Sequence, residues 1–168
     1  IATGDFDGDG HADIAVGMMA EIAILFGKGD GTFHPTVRGT ILVPPSPIPV
    51  HRYRAADLDA DGRTDLLAIG GNFAAVYLGE DLSPLRRFPG RPFAALPIEG
   101  AGRFLEAADV NGDGILDVVT QAAAAREGTA IVQIFLGERA AGAGPLSFAE
   151  GPSVRTALSG YGSVLAIG

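Results

Sequence analysis

Asp5-Phe6-Asp7-Gly8-Asp9-Gly10-His11-Ala12-Asp13 recurs 52 residues later as Asp57-Leu58-Asp59-Ala60-Asp61-Gly62-Arg63-Thr64-Asp65, and after 52 more as Asp109-Val110-Asn111-Gly112-Asp113-Gly114-Ile115-Leu116-Asp117. Three copies of one acidic nonapeptide at a constant period define a tandem repeat, and the period suits one four-stranded propeller blade per copy. Within each copy, positions 1, 3, 5 and 9 carry Asp or Asn, and position 6 is always Gly.

Short apolar runs flank each nonapeptide on both sides. Ile1–Gly4, Tyr53–Ala56 and Phe104–Ala108 precede it and read as innermost strands. Ile14–Gly17, Leu66–Ile69, and Ile115-Leu116 with Val118–Thr120 follow it, and a further run comes at Glu21–Gly27, Ala74–Gly79 and Thr129–Gly137, ended by glycine. Short runs of Ile, Val, Leu, Phe and Tyr bounded by turn residues favour strands over helices. Thr32-Phe33, Leu85–Phe88 and Leu146–Phe148 are the expected outer strands. Pro44-Pro45-Ser46-Pro47-Ile48-Pro49 lacks backbone donors and has fixed φ, so it reads as an extended connector, as do Pro89–Pro97 and Ala140–Pro145.

The expected fold is therefore all-β, with blades of four-stranded antiparallel sheets in a single array over 1–168. Its repeats lie at about 1–52, 53–104 and 105–162, and 163–168 is the first strand of a fourth. Ser163–Gly168 resembles Ile1–Gly4, so the chain reads as a segment of a larger array or one completed between molecules, since propellers use about four to eight blades.

Composition agrees with a turn-rich globular protein: 47% of the 168 residues are hydrophobic, with 25 Gly and 11 Pro. No cysteine is present, which excludes disulfides and thiolate metal sites and leaves oxygen ligands for any staple. The longest apolar runs, Ile22–Phe26 and Ile131–Phe135, are too short for a membrane helix of about 20 residues. No signal peptide is visible at the start, and a mature or cut chain is the expectation. A net charge of −8 disfavours nucleic acid and anionic membranes as partners. Eleven of the 20 acidic residues fall in the three nonapeptides, and three divalent cations would bring −8 to −2, so much of the acidity is local.

Calcium takes 6 to 8 oxygen ligands, and a turn with carboxylates on alternate residues can point several at one centre. The candidate side-chain ligands are Asp5, Asp7, Asp9 and Asp13; Asp57, Asp59, Asp61 and Asp65; and Asp109, Asn111, Asp113 and Asp117. By analogy with calcium loops that use a main-chain oxygen at position 7, the carbonyls of His11, Arg63 and Ile115 join them. The expectation is about three Ca2+ per chain. An EF-hand fails on its Glu at position 12, where Val16, Ala68 and Thr120 stand, and on its flanking helices. Magnesium fits less well because it demands a tighter octahedral shell and keeps several waters. The plain alternative, solvated acidic turns, explains one copy better than three in register, since each gathers groups that repel one another without a cation. Asn111 removes one charge, making the third site the weakest at equal geometry.

Asp5–Asp13 followed by Leu25-Phe26-Gly27-Lys28-Gly29-Asp30-Gly31-Thr32-Phe33 resembles the FG-GAP, or VCBS, repeat family, whose members include the integrin α-subunit propeller. The likeness covers nearly the whole chain. It departs at Gly79–Pro84 and Gly137–Pro145, which replace the glycine-rich turn. The resemblance implies a propeller, structural calcium and an extracellular or cell-surface setting, and no particular ligand.

Catalytic chemistry finds little support in the residues. There is no Cys nucleophile, no Gly-x-Ser-x-Gly elbow and no zinc-type His cluster, and His11, His34 and His51 are scattered. Arg52, Arg54, Arg86, Arg87 and Arg91 are candidates for a basic patch for an acidic glycan or peptide, although solvated strand edges are the plainer reading. The expected function is a non-catalytic, calcium-stabilised binding or adhesion module with a protein or glycan partner and no membrane insertion. Two alternatives stand beside it: a scaffold within a secreted carbohydrate-active enzyme, and a head-to-tail assembly through open end blades.

Overall fold

The structure, a computed structural model, describes residues 1–18, 21–35, 37–39, 50, 52–79, 93–123, 129–139 and 145–157. Among the described residues, twelve strands form three sheets. The first holds β1 (Ala2–Gly4), β2 (Asp13–Met18), β3 (Glu21–Leu25) and β4 (Val37–Gly39). The second holds β5 (Arg52–Ala56), β6 (Asp65–Gly70), β7 (Phe73–Tyr77) and β8 (Ala94–Pro97), and the third β9 (Ala101–Ala108), β10 (Asp117–Ala123), β11 (Thr129–Arg139) and β12 (Leu146–Ala157). Each sheet is an antiparallel meander in chain order, the arrangement of a propeller blade. Among the described residues no helix is long and apolar enough to cross a membrane.

The middle blade shows why the strands read as continuous apolar runs. Every residue of β6 and β7 is buried. Side chains alternate across a sheet, and here each face meets a different neighbour. Leu66, Ala68, Phe73, Ala75 and Tyr77 pack with Phe6, Ile22, Ile24 and Phe26 of the first blade. Leu67, Ile69, Ala74 and Val76 pack with Leu105, Val118 and Phe135 of the third. A sheet covered on both faces shows no polar alternation, so face-to-face blade stacking is what the apolar runs record. Each fully buried Leu or Ile in these two layers contributes about 1.5–3 kcal/mol.

The inner and middle strands lie where the sequence places them, with ends shifted by one to three residues: β9 begins at Ala101 rather than Phe104, and β11 runs to Arg139. Three expectations need correction. Thr32-Phe33 is not an outer strand. Gly29 and Gly31 take left-handed backbone conformations, and Lys28 N–H to Thr32 O (3.0 Å) and His34 N–H to Phe26 O (2.8 Å) close a tight turn. Phe33 keeps only an isolated bridge to Gly27, and Val37–Gly39 forms the outer strand. In the second blade Ala94–Pro97 supplies the outer strand from within the expected connector Pro89–Pro97, and Pro97 is tolerated because the strand is an edge. Leu85–Phe88, the connector Pro44–Pro49, most of Ala140–Pro145, and the terminal Ser163–Gly168 lie outside the described residues. Finally, Ile115 and Leu116 belong to the loop and the strand starts at Asp117, because Ile115 N–H turns back to Asp113 Oδ1 at 2.8 Å.

Candidate metal centre

Each acidic nonapeptide joins the end of an innermost strand to the start of the next: β1 to β2, β5 to β6 and β9 to β10. The first aspartate organises the loop around itself. Asp5 Oδ1 accepts the N–H groups of Gly8 (2.7 Å) and Asp9 (3.1 Å), and Oδ2 accepts that of Gly10 (2.8 Å). Asp109 does the same for Gly112 (2.7 Å), Asp113 (3.2 Å) and Gly114 (2.9 Å), and Asp57 accepts Asp61 N–H on Oδ1 (3.1 Å) and Gly62 N–H on Oδ2 (3.0 Å). Reaching those donors requires position 6 in the left-handed region, where Gly10, Gly62 and Gly114 have φ of 86°, 86° and 85°. Position 5 closes the turn from the other side: Asp9, Asp61 and Asp113 each accept the N–H of position 7, from His11, Arg63 and Ile115, at 2.8 Å.

The ninth aspartate is buried in all three repeats, and both of its oxygens are engaged by backbone. Asp13 Oδ2 takes Phe6 N–H and Oδ1 takes Gly27 N–H, each at 2.8 Å. Asp65 joins Leu58 N–H (2.7 Å) to Gly79 N–H (2.7 Å), and Asp117 joins Val110 N–H (2.9 Å) to Gly137 N–H (2.8 Å). This residue thus brackets the loop to the far end of the third strand. The glycine at or near the end of that strand is required by the close approach. A Cβ at Gly27 would lie 2.3 Å from Ala12 O, at Gly79 2.7 Å from Thr64 O, and at Gly137 2.4 Å from Leu116 O. The sequence showed these glycines only as strand ends; their fixed partnership with position 9 was the missed signal.

Carboxylate oxygens of Asp5, Asp7 and Asp13 lie within 4.8 Å of one another, and so do those of Asp57, Asp59 and Asp61. Asp9 and Asp65 border these triads rather than joining them. In the third loop Asn111 stands at position 3; its amide Nδ2 donates to Asp113 Oδ2 at 2.9 Å while its Oδ1 accepts Asp113 N–H at 2.9 Å.

Electrostatics tests the fit of a cation. Burial, followed by the Asp13 and Asp9 charges, pushes the Asp7 carboxyl above the usual range. Burial and then Asp61 do the same to Asp59. Burial raises Asp13 despite its backbone bonds, and pushes Asp65 up to about 7. Asp109 moves the other way, held low first by the Gly114 N–H. Hard oxygen donors, crowded carboxylates and partial burial fit a hard divalent cation, which would favour the charged form of every one.

Thr64, at position 8 of the second loop, ties that loop to the first. Thr64 N–H donates to Asp5 O at 2.8 Å, and Asp5 N–H donates to Thr64 Oγ1 at 2.9 Å. Arg63 lies over Gly8, and the His11 ring lies against Gly29 of its own blade.

Comparison with known families matches the model of the FG-GAP-like repeat twice, over residues 5–68 and 57–120. The chain belongs to this family. Both matches open on the first aspartate of a nonapeptide, run through the remaining strands of that blade and the innermost strand of the next, and end just past the following nonapeptide, so each spans two acidic loops. No curated protein and no solved structure matches the chain.

Proposed function

We propose that this FG-GAP-like chain is an extracellular, non-catalytic binding or adhesion module whose blade-tip loops are held by calcium, about one ion per loop. The observation that carries the reading is the gathering of three carboxylates within 4.8 Å in each of the first two loops, on a framework that already fixes their backbone. Asp5, Asp7, Asp9 and Asp13, and their counterparts in the other loops, would supply side-chain oxygens, and His11, Arg63 and Ile115 their carbonyls. The ion offsets carboxylate repulsion. The chain's own residues do the rest: position 1 shapes the turn, position 9 anchors it to the third strand, and Thr64 passes the order of one loop to the next.

If each site binds with a Kd about a hundredfold below ambient calcium, linkage contributes ~2.7 kcal/mol per site, a sizeable part of the ~5–15 kcal/mol that holds a typical domain. Extracellular calcium would then keep the array ordered and present its exposed loops to a protein or glycan partner. Thermal unfolding in calcium, magnesium or chelator, with bound metal quantified in parallel, tests this. The expected outcome is a calcium-selective rise in Tm with about three ions per chain. An unchanged Tm and no retained metal would reduce the loops to solvated turns.

A further inference from the structure

The starts of the innermost strands meet around a cavity of their own. Ile1, Arg52–Arg54 on β5 and Ala101–Phe104 on β9 line an open cavity of about 650 Å3, a size within the range of small-ligand sites. Its charge is opposite to that of the chain. Arg52, Arg54 and Arg103 line it, among the described residues no carboxylate does, and the chain as a whole carries −8.

Each arginine is set differently. Arg54 pairs with Glu106 across the blade junction, Nε to Oε2 at 3.1 Å, so its charge is largely compensated. The Arg52 guanidinium lies 4.4 Å over the Phe104 ring, an arrangement that orients a cation without neutralising it. Arg103 is the extra residue of a β-bulge: Phe104 pairs with Gln121 and Gly102 with Ala122, leaving Arg103 out of register. Bulges re-aim a side chain, and this one puts Arg103 among the cavity's lining residues. Gly102 lets β9 press against the middle blade, since a Cβ there would meet Ile69 Cδ1 at 2.7 Å, and its N–H reaches Gly71 O. Among the described residues, neither Arg52 nor Arg103 has an acidic partner.

We propose that this cavity binds a dicarboxylate, gripped by the guanidinium forks of Arg52 and Arg103. Two uncompensated cations in one open cavity call for two negative charges, and the planar fork matches a carboxylate bidentately. A free dicarboxylic acid and a pair of uronate units in an acidic glycan share that chemistry. The inference deepens the reading of the chain as a binding module and is independent of its calcium.

Calorimetric titration of the intact chain with succinate, digalacturonate and sulfate, in calcium buffer, tests it. One dicarboxylate per chain is expected, with affinity falling about tenfold in Arg52→Gln and in Arg103→Gln. Arg103→Lys, which keeps the charge and loses the fork, should fall in between. Arg155→Gln, on β12 and paired with Glu99, should bind as the parent does. Digalacturonate binding at least tenfold tighter than succinate supports the site with an acidic glycan as its source, and equal binding supports it with a free dicarboxylate. No saturable binding, an equal loss in Arg155→Gln, or sulfate displacing both carboxylates would overturn it. Calcium-dependent Tm values recorded on the same samples separate the two readings: a chain that keeps its calcium response and binds no dicarboxylate refutes the cavity alone, and the reverse refutes the metal sites alone.

Discussion

Replacing Thr64 tests whether adjacent loops are joined by the hydrogen bonds between Asp5 and Thr64. Thr64→Val keeps the shape and the methyl that lies against Gly4, where an added Cβ would come within 2.4 Å of Cγ2, but removes the acceptor of Asp5 N–H. A part-buried N–H left without its partner costs about 1–2 kcal/mol. For a chain of 168 residues that corresponds to a Tm lower by roughly 2–8 °C. Thr64→Ser does the opposite, keeping the hydroxyl and removing one half-buried methyl, a loss of no more than ~0.8 kcal/mol. Chemical denaturation of both variants, with and without calcium, gives the comparison. Because Asp5 opens the first loop, the valine variant should also weaken calcium at that loop more than at the second. Stability unchanged in Thr64→Val while Thr64→Ser carries the whole loss would show that the methyl contact, and not the hydroxyl, joins the blades.

Further substitutions probe the loop framework. Ala60, with φ of 52°, occupies the position that Gly8 and Gly112 fill in the other repeats, so Ala60→Gly should stabilise the chain by about 0.5–1 kcal/mol in equilibrium denaturation. Gly27→Ala places a Cβ 2.3 Å from Ala12 O and should destabilise by about 1–3 kcal/mol, with the hydrogen exchange of Gly27 and Phe6 amides rising together because both donate to Asp13. In chelator, stability should fall as pH rises from about 4 to 7. Asp65 titrates near 3.8 unfolded and about 7 folded, so the folded chain holds the extra proton, and the stability this confers below that window is lost across it, at most on the order of 4 kcal/mol. Urea titrations at pH 5 and 7.5 measure this, and saturating calcium, which favours the charged carboxylate, should remove the loss at the higher pH.

The repeat was legible because its chemistry is local. Nine residues suffice to specify a loop in which position 1 collects backbone donors and position 6 turns left-handed, and the sequence displays both needs directly. The strands beside each loop were legible for the same reason, as apolar runs too short for helices. The outer strands were not. Thr32-Phe33 has the composition of a strand, but the paired glycines before it close a turn, and the pairing falls to Val37–Gly39. Ala94–Pro97 carries two alanines and a proline, so only its place beside Phe73–Val76 makes it a strand. Equally hidden was the bracket, because Asp13 and Gly27 stand 14 residues apart and Asp117 and Gly137 stand 20 apart. Arg103 escaped the basic set for a related reason: its role comes from a bulge, and a bulge is a property of two strands.

The inner strands separate charge along their length. Their starts hold Arg52, Arg54 and Arg103, and their ends lead into the three acidic loops. From Arg52 to Asp57 the chain advances five residues, about 16 Å at strand rise. At physiological ionic strength the screening length is about 8 Å, so the acidic end barely weakens the field felt in the basic cavity, and filling the loops with cations barely strengthens it. The two ends are therefore electrostatically independent at that ionic strength. Only the hydrogen bonds between Asp5 and Thr64 lead from the first loop towards β6, and β5, paired with β6, carries Arg52 to the cavity, so a calcium effect on dicarboxylate binding at that ionic strength would have to pass through them and would refute the independence of the two sites. Lowering the salt tenfold lengthens the screening distance to roughly 25 Å, beyond the span of the strand, and only there should calcium and dicarboxylate affinities become linked through charge.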